Sequence, residues 1–279
     1  MRWPRRRTAK AGWPLRWPAL SLATILLLSR PAAAHDFWIE PSSFTPGAGA
    51  AVALDLKVGE EFVGDSVPRR ARAIDVFTLQ SGTDAPRPVS GADGLTPAGM
   101  TAVGGEGTAL IAYSGEGGTV SLPADRFERY LESHGLEWVI RERALRHETL
   151  EPGREDFYRH AKALLGGMVA DPMLASKALG QRLEILVDGD PTQDAAPILT
   201  GRVLWRAEPL AGGLLIARRK DDPRLPLTVR TGSDGRFSLQ IQNGGIWLLQ
   251  IVWMERAGWF AHEDWQSHWS SLTLQRPQP

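Results

Sequence analysis

Thr231-Gly232-Ser233-Asp234-Gly235-Arg236-Phe237-Ser238-Leu239-Gln240-Ile241 is the stretch on which the fold reading turns. Asp234-Gly235 readily takes the positive φ angles of a tight turn, and Phe237, Leu239 and Ile241 then alternate with polar residues at the period of a strand. A turn signal followed by an alternating run predicts a β-hairpin. Upstream, residues 199–205 (LTGRVLW) read as a strand, 208–213 as a turn and 214–218 as another strand. Downstream, Gly244-Gly245 precedes the apolar run 246–254, with Trp247 and Trp253 on one strand parity.

The same grammar extends toward the N-terminus. Residues 51–58, 73–79 and 108–113 are short strand-forming runs, the last closed by Ser114-Gly115, and Gly/Pro/Asp clusters at 82–99 and 104–107 separate them. A helical segment interrupts. Pro123-Ala124-Asp125 starts it, Phe127, Tyr130 and Leu131 give i, i+3, i+4 spacing, and Gly135 stops it. A second helix is expected from Glu155 to Leu165, with Phe157, Ala161, Leu164 and Leu165 as its apolar face. The dense charge of 141–154 between them reads as a solvated surface. A linker rich in Pro and Asp at 189–197 sets the expected boundary. The expectation is a mainly β protein: an Ig-like or transthyretin-like sandwich over 35–196 with a helical insertion at about 123–167, and a second transthyretin-like sandwich over 197–279.

Composition fits this reading. Gly (29) and Pro (20) are abundant among 279 residues, which favours turn-rich β structure, and the absence of cysteine excludes disulfides, thiolate metal sites and cysteine nucleophiles. The formal charge of zero hides an asymmetry. Seven of the 32 basic residues and none of the 32 acidic ones fall in the first 34 positions, so the remainder carries −7. An acidic body of this kind argues against nucleic acid as a partner.

Those first 34 residues have the three parts of a cleavable export signal: a basic stretch, the short apolar run LSLATILLL at 20–28, and Arg30-Pro31-Ala32-Ala33-Ala34. The apolar run is short for a bilayer core of about 30 Å, and no span is expected in the mature chain. The expected location is the periplasm. Cleavage after Ala34 makes His35 the first residue. Its α-amine and an imidazole nitrogen can then close a chelate ring on one metal ion, a nitrogen pair suited to Cu(II) or Ni(II). The amine, with a reference pKa of about 7.7–8.0, yields its proton to a metal.

Three segments carry a family resemblance: His35-Asp36-Phe37-Trp38-Ile39-Glu40-Pro41, the pair 157–165 (FYRHAKALL) and 183–185 (LEI), and 245–247 (GIW) with 264–273 (DWQSHWSSLT). Together they resemble the exported bacterial family of unknown function often labelled NikM-like, described as the periplasmic component of nickel or cobalt uptake. Gly201, Val203, Pro209, Leu210, Gly212, Thr231, Asp234, Gly235 and Phe237 also resemble the transthyretin-like or carboxypeptidase-regulatory-like module, which implies a structural or binding role without catalytic residues. The resemblance implies a histidine near position 253, where this chain has Trp253.

The six histidines form no His-x-His or His-Glu-x-x-His pattern, so a zinc-hydrolase signature is missing. Nor is there a nucleophile elbow, phosphate loop or dinucleotide fingerprint. Asp156 and His160, four apart, would share the face of the expected helix and pair with each other. His262, Asp264 and His268 share strand parity, and two imidazoles with a carboxylate suit Zn, Ni or Cu. The candidate metal ligands are therefore His35, His262, Asp264 and His268. The functional expectation is a non-enzymatic binding protein for nickel or cobalt (alternatively copper or zinc) that serves an inner-membrane metal transporter. The alternatives are a structural or interaction module binding a protein or carbohydrate, and an oxidative copper enzyme, which needs a second histidine close to His35.

Overall fold

A computed structural model describes Met1 and residues 35–104 and 106–278, so the expected export signal and its cleavage bond lie outside the described residues. From His35 the chain enters β1 (Asp36–Pro41), β2 (Ala51–Glu60) and β3 (Val63–Val67), then β4 (Ile74–Ser81), the short β5 (Arg87–Pro88), β6 (Gly99–Ala102) and the long β7 (Ala109–Leu122). Two helices follow, α1 (Ala124–Ser133) and α2 (Glu137–Leu145). Next come β8 (Gly153–Leu165), the one-turn α3 (Pro172–Ala175) and β9 (Leu183–Val187). The chain closes with β10 (Ile198–Trp205), β11 (Glu208–Pro209), β12 (Leu214–Arg219), β13 (Asp222–Arg230), β14 (Arg236–Gln240), β15 (Gly245–Arg256) and β16 (Trp265–Arg276). The protein is mainly β, with its two longer helices in a short insertion, as its turn-rich sequence indicates.

The strands form one central sheet and two covers. The central sheet has eight strands in the order β13-β12-β15-β16-β8-β7-β4-β5. All its pairings are antiparallel except β8 with β16, which run parallel from Trp265↔Glu155 to Leu274↔Leu164. Because side chains alternate along each strand, the sheet has two distinct faces. On one, Leu164, Leu272, Leu274, Leu249 and Ala217 pack with Val187, Val203 and Leu239 from the sheet of β9, β10, β11 and β14. On the other, Ile111, Tyr113, Ala161 and Ala163 pack with Phe37, Ile39, Leu54 and Leu56 from the sheet of β1, β2, β3 and β6. This second face continues past that cover, where Val252, Met254, Trp265 and Trp269 pack with Phe127, Leu131 and Val139 of α1 and α2.

Several expectations are corrected. The strand β8 replaces the helix expected over 155–165. It is hydrogen-bonded on both sides, to β7 and β16, and Ala161 to Leu165 are buried whichever face they point to. A strand buried on both faces reads as a continuous apolar run, in which helical spacing is found by chance. The insertion therefore ends at Leu145. Asp156 consequently meets Thr119 at 2.8 Å rather than His160. The strand β7 runs through Ser114-Gly115 and absorbs an irregularity between Glu116 and Gly118. The expected hairpin at 231–236 is a corner between layers: β13 belongs to the central sheet and β14 to a cover. Gly235 has φ +74 there, as the Asp-Gly signal requires, but the turn changes sheets. The division into sandwiches over 35–196 and 197–279 is also corrected, since β15 and β16 continue directly into β8 and β7 in one sheet.

Candidate functional site

The site lies on the second face of the central sheet, in the seam between its β cover and its helical cover. Ile216 and Arg218 on β12 and Gln250 on β15 form part of the cavity wall, with Leu122 at the end of β7. Asp36 enters from the start of β1, Glu60 and Glu61 from the end of β2, and Tyr130 and His134 from α1. The cavity has a volume of about 420 Å³.

Local sequence explains how each wall is held. Glu61 and Phe62 both take positive φ (52 and 61), the geometry of a two-residue hairpin turn. Without glycine this costs about 1–2 kcal/mol per residue. The turn is anchored by Phe62, buried edge-on against Trp38 with ring centroids 5.5 Å apart. Helix α1 ends at Gly135 (φ +68), and the Leu136 amide reaches back to the Leu131 carbonyl at 2.8 Å, a closure that needs glycine's freedom. A Cβ on Gly135 would also lie 2.6 Å from Leu214 Cβ. His134, just before this stop, is thereby fixed in place.

The ring of His134 packs beside Tyr130 and Trp269, at centroid distances of 5.1 and 5.0 Å. Its Nδ1 lies 3.0 Å from the Tyr130 carbonyl oxygen. A carbonyl only accepts, so Nδ1 carries the proton, and Nε2 is left with a lone pair. Burial lowers the His134 pKa below its ordinary range, against the raising pull of Asp36, so the ring is neutral at pH 7. Burial raises the Asp36 pKa, against the opposing pull of His134, Gln250 and Arg218. Behind Tyr130, the Glu155 carboxyl is wholly buried, and burial pushes its pKa up to about 8. Its Oε2 lies 3.4 Å from the Tyr130 hydroxyl, which ties the cavity wall to a neutral acid at pH 7.

His35 stands at the rim, next to Asp36. Its Nδ1 is buried, lies 3.2 Å from Glu60 Oε1 and makes no hydrogen bond. Among the described residues, no group of three or more His, Asp or Glu side chains is close enough to hold a metal ion. Side chains alone therefore do not make a site. An orphaned nitrogen beside a carboxylate does fit a metal once the His35 amine is free, with the half-buried His134 offering Nε2 in the adjoining cavity.

The other expected ligands are elsewhere. His262 is exposed in the turn before β16. Asp264 is gripped by Arg154 through two bonds of 3.0 Å. That contact, against the effect of partial burial, holds its pKa below the usual carboxylate range. The shared parity of residues 262, 264 and 268 has no consequence, because the extended strand starts only at Trp265. His268 sits on the opposite face of the central sheet from the cavity: it alternates with Trp269, which packs against His134. This alternation keeps His268 on the face away from His35. His268 instead places Nδ1 3.2 Å from His160 Nε2, between Tyr158 and Trp205. Burial, with Arg182 nearby, lowers His160 to about 4; burial, with His160, Arg182 and Arg206, lowers His268 to about 3.

Sequence reasoning missed Glu60 and His134. Neither lies in a motif. The available signal was that His134 ends an amphipathic helix, next to its glycine stop, one turn beyond the buried Tyr130.

A family described as "Domain of unknown function (DUF4198)" matches residues 32–255. No curated protein matches. Among solved structures, the "D0-D1 domain of Intimin" aligns with 86% of this chain and 97% of its own at 11% identity, with a TM-score of 0.19.

Proposed function

We propose that this chain, which belongs to the DUF4198 family of unknown function, is an exported, non-enzymatic protein that binds a transition metal at its mature N-terminus. The reading rests on one observation: His35 Nδ1 is buried without a hydrogen bond, 3.2 Å from Glu60 Oε1, at the rim of the cavity that holds His134. With the chain cut after Ala34, the donors already side by side are the His35 amine and Nδ1 and the Glu60 carboxylate, and His134 Nε2 in the adjoining cavity joins them through a side-chain shift on binding. Nitrogen-rich sets with a carboxylate suit Ni(II), Co(II), Cu(II) or Zn(II). The hydrogen bond from His134 to Tyr130 is the outer support that metal-ligating imidazoles usually have, fixing tautomer and ring direction. Nickel or cobalt, a periplasmic location and delivery to an inner-membrane transporter are the finer parts of the proposal, and they rest on the NikM-like resemblance.

Calorimetric titration of the processed protein with Ni, Co, Cu and Zn tests this reading. Saturable binding at micromolar concentration is expected, and no binding of any of the four removes it. A second reading, an interaction module, is favoured by Trp259 and Phe260, which are fully exposed at the tip of the β15–β16 connection. Recovery of a stable envelope partner that survives chelators and is lost in Trp259→Ser/Phe260→Ser would support that reading instead.

A further inference from the structure

The cavity has a feature that metal binding does not use. Arg218 is half-buried in its wall, and its Nε is fully buried without a hydrogen-bond partner. Among the described residues its single hydrogen bond is a long one, from Nη1 to the Pro223 carbonyl at 3.4 Å. Among the described residues Arg218 is in no ion pair, whereas Arg154, Arg182, Arg206, Arg230, Arg236 and Arg256 all are. A guanidinium held half-buried without an ion pair is costly, and its two Nη groups form a planar pair of donors that matches a carboxylate.

We propose that the cavity binds a small organic carboxylate, with its carboxylate group on Arg218. The rest of the wall narrows the class. Leu122, Ile216 and the Tyr130 ring give the cavity an apolar portion, which favours an organic ligand over a bare inorganic anion. Asp36, Glu60 and Glu61 line the same space as Arg126, Arg129 and Arg218, and this balance of charge disfavours a multiply charged anion such as phosphate. These carboxylates also favour a ligand whose far end is cationic or metal-bound. The volume of about 420 Å³ holds a molecule of amino-acid size. The inference adds an organic ligand to the cavity proposed above for the metal, and Arg218 contacts that ligand whether or not metal is present.

The test titrates the processed protein with glycine, β-alanine and acetate, with inorganic phosphate for comparison, once with chelator and once with nickel. At least one carboxylate is expected to bind saturably and more tightly than phosphate. Arg218→Gln should weaken that binding about tenfold or more, a loss typical of removing one charge-assisted partner. Arg218→Lys, which keeps the charge and loses the fork, should fall between. Arg236→Gln, at a distant ion pair, should bind as wild type, and circular dichroism must show each variant folded. If Arg218→Gln does not fold, Arg218→Lys and the wild-type probe ranking decide. The proposal is overturned if no carboxylate binds with or without nickel, if phosphate binds as tightly, or if every folded Arg218 variant binds unchanged. Carboxylate binding with chelator and no nickel binding at all would remove the metal reading and leave this one standing.

Discussion

His134 donates its Nδ1 proton to the carbonyl of Tyr130, 3.0 Å away, and so presents an unprotonated Nε2 in the cavity between the β cover and the helical cover on one face of the central sheet. Burial lowers its pKa, so this tautomer holds at neutral pH. The ring nitrogens should show one neutral tautomer, protonated at Nδ1, by nitrogen-15 NMR at pH 7. A ring charged at that pH contradicts the assignment. His134→Ala should weaken metal binding about tenfold or more while leaving the protein folded.

The buried Glu155 makes stability fall as pH rises. Its pKa is raised from 4.5 to about 8, so the folded state holds the proton more tightly than the unfolded chain does. The resulting stabilisation is complete below about pH 4.5 and lost as pH rises through 8. Glu155→Gln mimics the neutral acid and removes this loss. Urea unfolding should show the variant gaining on wild type between pH 5 and 9, by on the order of a few kcal/mol. Parallel stability curves for the two proteins would contradict the assignment.

The histidine pair on the opposite face acts in the other direction. His160 and His268 are lowered to about 4 and about 3. Their contribution is present above the unfolded value near 6.5 and is lost as pH falls toward 4. His268→Phe keeps an aromatic ring between Tyr158 and Trp205 and removes one titrating group. Its unfolding free energy should fall less than that of wild type between pH 7 and 4. An equal fall would show that folding does not lower the His268 pKa.

Lys162 and Glu184 form a wholly buried ion pair at 3.0 Å, joining the central sheet to β9. Glu184 also accepts from the amides of Leu179, Gly180 and Gln181. Lys162→Met should cost about 3–5 kcal/mol, because a buried carboxylate loses its counter-charge. Adding Glu184→Leu should not restore stability, since it orphans three backbone amides. Full recovery in the double variant, read by chemical denaturation, would show that the pair is replaceable.

Much of the fold was legible because period and turn chemistry survive in its outer strands. The strand β2 alternates from Leu54, α1 starts after Pro123 and stops at Gly135 as its spacing implies, and Asp234-Gly235 turns as such a pair should. The failures lie where the chain is buried on both sides. In β8 the run Ala161 to Leu165 carries no alternation, so its period was read as helical. That error concealed the parallel β8–β16 pairing, and with it the single sheet that joins the two halves. For the site, His35 was visible in the N-terminal pattern, whereas Asp36, Glu60 and His134 reach the cavity only through tertiary packing. His268 was misplaced by a parity argument that counted residues preceding its strand. Alternation correctly applied puts it on the far face.

The most direct measurement compares nickel binding by two forms of the mature protein, one beginning at His35 and one retaining Ala34. The two share every side chain from residue 35 onward and differ in whether the His35 nitrogen is an amine or a peptide amide. The account predicts saturable, micromolar binding by the first and a loss of about tenfold or more in the second, with His134→Ala weakening the first form. Equal binding by both forms, or none by the first, would contradict it.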